Sequence, residues 1–447
     1  MGIMLDSVFF DRFAMGFSLG VHILIVMFGV TMPVIILLAD YLWIAKGDMV
    51  YKTLSNRLVT AFAILFAVGT ASGTLVAIDL LVLWPKFMAL VGQVAISTVN
   101  IEVIVFFAEA IFLTTYFLYR ERFSSKYVRV VLMAIVAIAA ASSGVMITYL
   151  NSFMNTPVGF NITAYLHNGT LTDIRPFAVF SAPAATIEVP HVLSTVYFAG
   201  SATIMAYFAL MLMLSKDRKR KEYYGKALRL AFGVCMVAVV FAIITGVLSI
   251  ESLMTLQPEK YAAIEINVNT TANAPEIIGG TIVNGTVQGA WLIIPTLQSL
   301  LAGGTASAVV PGLSQFPRST WPPLFIHTLF DLMVMFGFGI GGVLALLLVM
   351  HLLKVRVFDM KIVQIILVLI GCAAIFILEA GWIVDEVGRQ PWIIYNVMAV
   401  SQAANQSQTS GLLAILIIIA YAVILPITYF VIRAVFSKRP LDKELRQ

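Results

Sequence analysis

The sequence predicts an all-α, polytopic membrane protein with nine transmembrane helices, an N-terminus outside the cell and a cytoplasmic C-terminus. Three observations support this prediction. The chain of 447 residues is 60% hydrophobic and only 11% charged, which is roughly half the charged fraction of a soluble protein. Nine apolar stretches reach the roughly 20 residues that a bilayer crossing needs. Basic residues are concentrated on one side of those stretches.

The nine helices are predicted, in chain order, from apolar stretches that polar segments interrupt. Their approximate bounds are 14–44, 58–84, 92–119, 128–151, 190–215, 226–252, 322–353, 362–386 and 411–437. Basic residues follow the first, third, fifth, seventh and ninth stretches. We expect residues 1–447 to form a single membrane domain, with residues 253–321 as an extracytoplasmic loop between the sixth and seventh helices.

The orientation follows from the 28 lysines and arginines, because basic loops are retained in the cytoplasm. Twenty-two of them lie in the loops after the odd-numbered helices and in the C-terminal tail. The other side holds the remaining six, namely Arg12, Lys86, Arg175, Lys260, Arg318 and Arg389. The side with the basic excess is therefore predicted to be cytoplasmic, and an odd number of crossings places the N-terminus outside.

The composition also excludes several classes of protein. A disordered chain, a nucleic-acid-binding module and a disulfide-rich secreted domain are all incompatible with so apolar a sequence. Cys235 and Cys372 lie inside apolar stretches, so neither a disulfide framework nor a cysteine metal site is expected. The seven basic residues within 216–229 are typical of a cytoplasmic loop that contacts anionic lipid.

Four side chains that can bind metal fall in the outer half of the predicted helices: His22, His191, Met333 and Glu379. Polar groups inside a membrane are costly and commonly functional. Histidine, methionine and carboxylate without cysteine thiolates suit axial ligation of haem iron better than an iron–sulfur or zinc site. Taken singly, each of the four is more often a packing residue, and depth alone does not pair them.

The third helix carries two acidic residues, Glu102 and Glu109. Their spacing of seven residues places them on one helix face, about 10 Å apart.

Several motifs are more specific than these single residues. The longest is Glu379–Trp382 (EAGW) followed by Gly388–Trp392 (GRQPW). Others are FFAE at 106–109, NSFMNTP at 151–157 and QPEKYAAIE at 257–265. With these motifs, the chain resembles subunit I of the cytochrome bd-type quinol oxidases over nearly its full length.

The resemblance implies a set of haem ligands and cofactors. His191 and Met333 would be the axial ligands of a low-spin haem b. His22 and Glu379 would each hold one of two further haems, a high-spin haem b and a haem d, or a third haem b in place of the haem d. Which of these two haems belongs to which residue stays open.

The resemblance also implies an activity, with residues for each part of it. The chain would be the catalytic subunit of an electrogenic quinol oxidase that oxidises quinol on the outer side and reduces O2 to water with cytoplasmic protons. Lys260 and Glu265 would bind quinol in the 253–321 loop. Glu109, Glu102 and Ser143 would serve proton uptake, while Arg389 and Trp392 would lie near the haems.

The resemblance further implies the setting of the protein. A second oxidase subunit, and in some cases small single-span subunits, would accompany this chain in the plasma membrane of a prokaryote. Quinol, O2 and the lipid bilayer would be its other partners, and no nucleic acid is expected.

Some positions depart from the family pattern. Family members usually carry an arginine two residues before the ligand methionine, where this chain has Asp331. The second helix keeps only Trp84 of the usual motif at its outer end. The first glutamate of the third helix usually lies eight residues before the second. Here Glu102 lies seven residues before Glu109, which turns it by about 100° on a regular helix.

Two alternatives stay open on the sequence alone. A proton-coupled secondary transporter would use the buried acids without any haem, and a haem-bearing scaffold subunit would lack oxidase activity. We also expect His327 and Asp331 to form a structural contact, because they are four residues apart on one helix face. His167 and His351 are expected to be solvated.

Overall fold

The computed structural model describes residues 7–405, 407 and 410–445, and in these ranges the chain is predominantly helical. The helices are α1 Ser7–Lys46, α2 Met49–Leu83, α3 Pro85–Val94, α4 Ile96–Tyr119, α5 Tyr127–Asn155, α6 Ile162–Asn168, α7 Ala185–Leu214, α8 Arg218–Leu256, α9 Pro258–Ile264, α10 Leu297–Gly303, α11 Phe325–Leu352, α12 Lys361–Gly388, α13 Val400–Ala403, α14 Ser410–Lys438 and α15 Leu441–Glu444. Among the described residues, nine helices are long and apolar enough to cross a membrane: α1, α2, α4, α5, α7, α8, α11, α12 and α14. The predicted fold class is confirmed.

Several membrane helices extend further than their apolar stretches. Helix α2 begins at Met49, because the Asp48 side chain accepts a hydrogen bond from the backbone N–H of Val50 at 3.0 Å. Helix α8 likewise begins at Arg218, where the Asp217 side chain accepts from two backbone N–H groups. Such N-caps stabilise helix ends in water. The helices therefore continue beyond the apolar segment on which the prediction was based.

The third predicted helix, 92–119, is wrong at its start. The chain forms the separate short helix α3, leaves helical geometry at Ala95 and begins α4 at Ile96. Pro85 occupies the first turn of α3, where its missing N–H has no cost. A prediction based on the length of apolar stretches could not separate α3 from α4, because the residues on both sides of Ala95 are similarly apolar.

The membrane helices pack as two groups, which meet mainly where α1 and α5 contact α7. Helices α7, α8, α11 and α12 form one group, and α1, α2, α5 and α14 form the other, with α4 packed on α5. Helix α1 also crosses α7 closely at Gly200, where a Cβ atom would lie 2.8 Å from the backbone oxygen of Met27. Only glycine allows the two backbones to approach so closely.

The 253–321 segment contains short structured elements. Its strands are β1 Thr271–Ala272, β2 Glu276–Ile278, β3 Thr281–Val283, β4 Thr286–Gln288, β5 Leu292–Ile294 and β6 Val309–Val310, which pair antiparallel as β1 with β6, β2 with β5 and β3 with β4. Beneath them, α9 is buried from Glu259 to Ile264. A final antiparallel pair, β7 Trp392–Ile394 and β8 Met398–Ala399, follows α12.

A buried ion pair joins helices at the end of the bundle that the sequence predicts to be cytoplasmic. Arg129 on α5 donates to Asp40 on α1 at 2.9 Å, and their side chains are 2% and 0% exposed. The Tyr116 hydroxyl on α4 donates to the same carboxylate at 2.5 Å. The side chains of Lys52, Lys126 and Arg129 all lie over the Trp43 ring. This cluster fixes α1, α4 and α5 relative to one another.

Candidate functional site

His22 lies on α1 and faces α2. Its Nδ1 atom is 2.8 Å from the Ser72 hydroxyl, and no described residue forms a hydrogen bond with its Nε2 atom. The next residue on α2 is Gly73, where a Cβ atom would lie 3.2 Å from Cε1 of His22. Because α1 begins at Ser7 rather than at residue 14, His22 lies two turns further from the start of its helix than the sequence suggested.

His191 on α7 has an equivalent environment against α8. Its Nδ1 atom is 3.0 Å from the Thr245 hydroxyl, and its Nε2 atom also has no hydrogen-bond partner among the described residues. A Cβ atom on the next residue, Gly246, would lie 3.4 Å from Cε1 of His191. Each histidine therefore packs against a hydroxyl residue and a glycine of the neighbouring helix.

Glu379 and Met333 lie beside glycines as well. A Cβ atom on Gly20 of α1 would lie 3.0 Å from the Glu379 carboxylate, so α12 brings this carboxylate within two residues of His22 on α1. The Oε1 atom of Glu379 is buried without a hydrogen-bond partner. Gly381 lies two residues after Glu379 on α12, and a Cβ atom there would lie 3.3 Å from the Met333 sulfur.

These four side chains fit haem ligation. Each is half-buried. No polar group among the described residues forms a hydrogen bond with the donor atoms that these side chains offer to a metal, which are the two histidine Nε2 atoms, the Glu379 Oε1 atom and the Met333 sulfur. An unprotonated imidazole nitrogen, a thioether and a carboxylate are the ligands that haem iron accepts. Among the described residues, no three His, Cys, Asp or Glu side chains cluster as a bare metal ion would need. The donor set therefore fits iron held in porphyrins by one or two protein ligands each.

The acidic face of α4 meets α5. The Ser143 hydroxyl donates to the Glu102 carboxylate at 2.8 Å. Glu109 is 5% exposed and interacts electrostatically with Glu102. The structure thus brings the three predicted proton-transfer residues into one region. Glu102 and Glu109 both lie within the continuous helix α4, and Glu102 reaches Ser143 at its spacing of seven residues without a bulge in that helix.

Lys260 and Arg389 belong to one polar network at the outer ends of four helices. Lys260 Nζ donates to the Asp385 carboxylate at 2.5 Å. Arg389 donates to Asn155 at 2.5 Å and to Glu386 at 2.6 Å. The arginine Nε atom, like the indole nitrogen of Trp392, is buried without a partner among the described residues. A bound polar group could supply the hydrogen-bond acceptors that these two donors lack.

Sequence reasoning missed several members of this network. Asn155 donates to Glu188 at 2.7 Å, and Ser152 donates to the same carboxylate at 2.6 Å. Glu188 lies one turn before His191 on α7, and this spacing could have indicated that Glu188 lies near the predicted haem ligand. Asp385 and Glu386 lie three and two residues before Gly388, the first residue of the GRQPW motif, and their positions in the sequence could have suggested a role.

Glu265 lies at the end of α9 in an acidic environment. Burial raises its pKa well above its ordinary value, and the nearby charges of Glu276 and Asp331 raise it further. Burial, followed by the charge of Asp331, raises the pKa of Glu276 to about 7. Glu276 is half-buried on β2, so it lies closer to solvent than Glu265, which is 4% exposed.

Asp331 connects α11 to the outer loop. Its carboxylate accepts from the backbone N–H of Gly279 at 2.5 Å and lies 3.3 Å from His327 Nε2. The predicted His327–Asp331 contact is confirmed. His167 and His351 are both exposed, as predicted.

Comparisons with known proteins agree with this architecture. Residues 10–440 match the family described as cytochrome bd terminal oxidase subunit I. The "Putative cytochrome bd menaquinol oxidase subunit I" of Bacillus subtilis (strain 168) is 34% identical over an alignment of 448 positions that covers 99% of each chain. The "Cytochrome bd ubiquinol oxidase subunit 1" of the same organism is 26% identical over 89% of this chain and 86% of that relative.

A solved structure shares the whole fold. The bd oxidase from Geobacillus thermodenitrificans matches with a TM-score of 0.90 and 35% sequence identity, covering 97% of this chain and 99% of that chain. Sequence and fold thus agree over nearly the full length, and the chain belongs to the cytochrome bd terminal oxidase subunit I family.

Proposed function

We propose that this chain, by family the haem-bearing catalytic subunit of a quinol oxidase, holds its haems through His22, His191, Met333 and Glu379. The supporting observation is that His22 and His191 each have a hydrogen-bonded Nδ1 and an Nε2 without a described partner, in glycine-lined sites on adjacent helices. His191 and Met333 together saturate a low-spin haem b. His22 and Glu379 each hold one further haem, a high-spin haem b and a haem d or third haem b.

When bound, haems held by these residues would supply electron storage and a site for reducing O2 to water. The residues of this chain supply the ligands that would hold the haems and the side chains packed around them. Glu379 is an anionic ligand without a hydrogen-bond partner on Oε1. Met333 is a neutral ligand whose sulfur packs at Gly381.

Quinol oxidation belongs to the 253–321 loop in this proposal. Lys260 and Glu265 lie on and just after the buried helix α9, and the raised pKa of Glu265 makes its carboxylate a stronger proton acceptor than an ordinary glutamate. Glu276 interacts electrostatically with Glu265 and is closer to solvent, so it provides an exit toward the outer side. Arg389 and Trp392 offer unpaired donors near the same network.

Proton uptake uses the opposite half of the molecule. Glu109 is buried on α4, with Glu102 and Ser143 further toward the outer side. A buried carboxylate relays a proton when its neighbours offer hydrogen bonds to both of its protonation states. Quinol protons released outside and oxygen-reduction protons taken from the cytoplasm make the reaction electrogenic without a pump.

Subunit I of a bd oxidase works with a subunit II, and this chain has apolar surface for such a partner. Helix α4 exposes Ile104, Phe107 and Ile111 by 59% or more, and α14 is the least buried of the described spans. We propose that subunit II, and any small single-span subunit, covers part of this surface. The plasma membrane of a prokaryote is the proposed location of this multi-pass protein.

The decisive experiment is a visible absorption spectrum of the purified two-subunit oxidase, dithionite-reduced minus oxidised. The proposal predicts b-type bands, with an additional red band if a haem d is present. His191→Ala should remove the low-spin band, while His351→Ala, an exposed histidine on the cytoplasmic side, should leave it unchanged. A pigment-free protein would overturn the proposal and favour the transporter alternative, which the family assignment does not support. Pigment without oxygen consumption would favour the scaffold alternative.

A further inference from the structure

Both ligand histidines pack against the same dipeptide pattern, a hydroxyl residue followed by glycine. Ser72 and Gly73 on α2 contact His22, and Thr245 and Gly246 on α8 contact His191. The hydroxyls lie 2.8 and 3.0 Å from the Nδ1 atoms. The glycines leave room beside Cε1 of each ring, where a Cβ atom would lie 3.2 or 3.4 Å away.

The hydroxyl protons determine the direction of these hydrogen bonds. Ser72 Oγ donates to the backbone oxygen of Gly69 at 3.0 Å, and Thr245 Oγ1 donates to the backbone oxygen of Phe241 at 2.8 Å. A hydroxyl has one proton but two lone pairs. A carbonyl can only accept, so a hydroxyl that places its single proton there is left to accept from the histidine ring.

The Ser194 hydroxyl does not change this assignment at His191. It donates to the backbone oxygen of His191 at 2.9 Å and lies 3.2 Å from Thr245 Oγ1. In either role it leaves the Thr245 oxygen a lone pair for Nδ1–H of His191.

We infer that Ser72 and Thr245 are positioning residues that hold His22 and His191 in the Nδ1–H tautomer, so that Nε2 of each ring faces the iron. This inference rests on the proposed haem ligation. A metal-bound histidine usually donates its second N–H to a carboxylate, a carbonyl or water. A hydroxyl is a weaker acceptor than a carboxylate, so it fixes the tautomer and ring orientation while keeping the imidazole neutral.

The test replaces Thr245 by valine in the complete oxidase, because valine keeps the shape and removes the hydroxyl. Loss of such a partner typically weakens metal binding about 10–100-fold. We expect less low-spin haem per protein and a higher midpoint potential for the low-spin haem that remains, because an imidazole without this acceptor donates less charge to iron. Thr245→Ser should restore both quantities.

Two further substitutions complete the design. Ser249→Ala is the matched control, since the Ser249 hydroxyl lies on the same helix and donates only to the backbone oxygen of Thr245 at 2.8 Å. Ser72→Ala should reduce the haem held by His22 and leave the low-spin band intact. Its control is Thr74→Val on α2, whose hydroxyl donates only to the backbone oxygen of Thr70.

The outcomes separate this inference from the proposed function. An unchanged haem content and midpoint potential in Thr245→Val, alongside loss of the low-spin band in His191→Ala, would overturn the inference and leave the proposed function standing. An equal loss of all haems with an unaltered low-spin potential would also overturn it, because general destabilisation does not select one haem. Retention of the low-spin band in His191→Ala would overturn the proposed ligation itself.

Discussion

Lys260 and Asp385 form an ion pair between the outer loop and a membrane helix. Lys260 Nζ donates to the Asp385 carboxylate at 2.5 Å and to the Asp385 backbone oxygen at 3.0 Å. The lysine side chain is 3% exposed and the aspartate 28%. The pair therefore docks α9 onto the outer end of α12, next to the GRQPW motif.

Replacing Asp385 by asparagine should weaken this docking. A buried cation that loses its counter-ion costs about 3 kcal/mol, and the partial exposure of Asp385 places the effect at that lower end. We expect a higher KM for quinol and faster proteolysis within residues 253–321, with an unchanged haem spectrum. Asp359→Asn, which breaks the exposed Arg356–Asp359 pair, is the control. An unaltered KM would show that the pair does not support quinol binding.

Met333→Leu should abolish the low-spin haem spectrum, because leucine fills the space of the thioether without offering a ligand atom. The measurement is the reduced-minus-oxidised spectrum of the purified complex. Met335→Leu, two residues later on α11 and 43% exposed, should leave the spectrum unchanged. If Met333→Leu gives a native spectrum, then Met333 is a packing residue.

Glu276 should give quinol oxidation a pH dependence near neutrality. Burial and the charge of Asp331 raise its pKa to about 7, so the carboxylate is a proton acceptor only above that pH. We expect kcat/KM for quinol to rise as pH passes through about 7, and Glu276→Gln to remove this component. Glu265, Asp331 and Tyr261 face the same charge, so any steps that remain in the variant belong to them.

The same raised pKa has a consequence for loop stability, with a defined sign. A carboxyl whose pKa is higher in the folded state binds its proton more tightly there. Its contribution is therefore present at low pH and lost as pH rises through about 7. The hydrogen-exchange protection factors of the paired strands β2 and β5, which correct for the faster intrinsic exchange at higher pH, should be lower above this pH in the native chain, and Glu276→Gln should remove the difference.

Ser143→Ala should slow proton delivery without affecting haem content. The Ser143 hydroxyl is a hydrogen-bond donor to Glu102 at 2.8 Å, and its loss removes one relay contact. We expect proton uptake and oxygen consumption by reconstituted vesicles to fall together, by about tenfold, because a hydrogen bond to a charged group contributes about 1.5 kcal/mol. Thr148→Val, which removes a hydroxyl bonded only to the backbone oxygen of Gly144 on the same helix, should behave as the native chain.

Arg129→Ala should destabilise the cytoplasmic end. Asp40 is 0% exposed, and its unpaired charge should cost about 3–5 kcal/mol. Thermal unfolding of the purified complex would show a lower midpoint. The double variant Asp40→Leu with Arg129→Met, which removes both charges, should recover most of the loss. Equal destabilisation by the single and double variants would mean that packing, and not charge, determines the effect.

The sequence was sufficient for the membrane helices because each is a local property of about 20 residues. Motifs then indicated His22, His191, Met333 and Glu379, and the structure places all four beside glycines or hydroxyls of neighbouring helices. The hydroxyl partners Ser72 and Thr245 lie 50 and 54 residues from their histidines. No periodicity relates residues so far apart, so these contacts were not predictable.

The contacts of the outer loop were equally impossible to predict from the sequence. Lys260 is 125 residues from Asp385, and Asn155 is 234 residues from Arg389. Their meeting depends on how the ends of α5, α9 and α12 converge. The six short strands of the loop were missed because runs of two or three residues are too brief for an alternation pattern to appear.

The glycine at position 200 has a kinetic consequence. It is the point where α1 and α7 touch, and these helices carry His22 and His191 respectively. If these histidines hold haems as proposed, a side chain at this position would push the helices apart and lengthen the gap that an electron must tunnel through, and tunnelling rates fall exponentially with such a gap. Fast electron transfer would therefore depend on the absence of a single methyl group, in a place that no substrate visits.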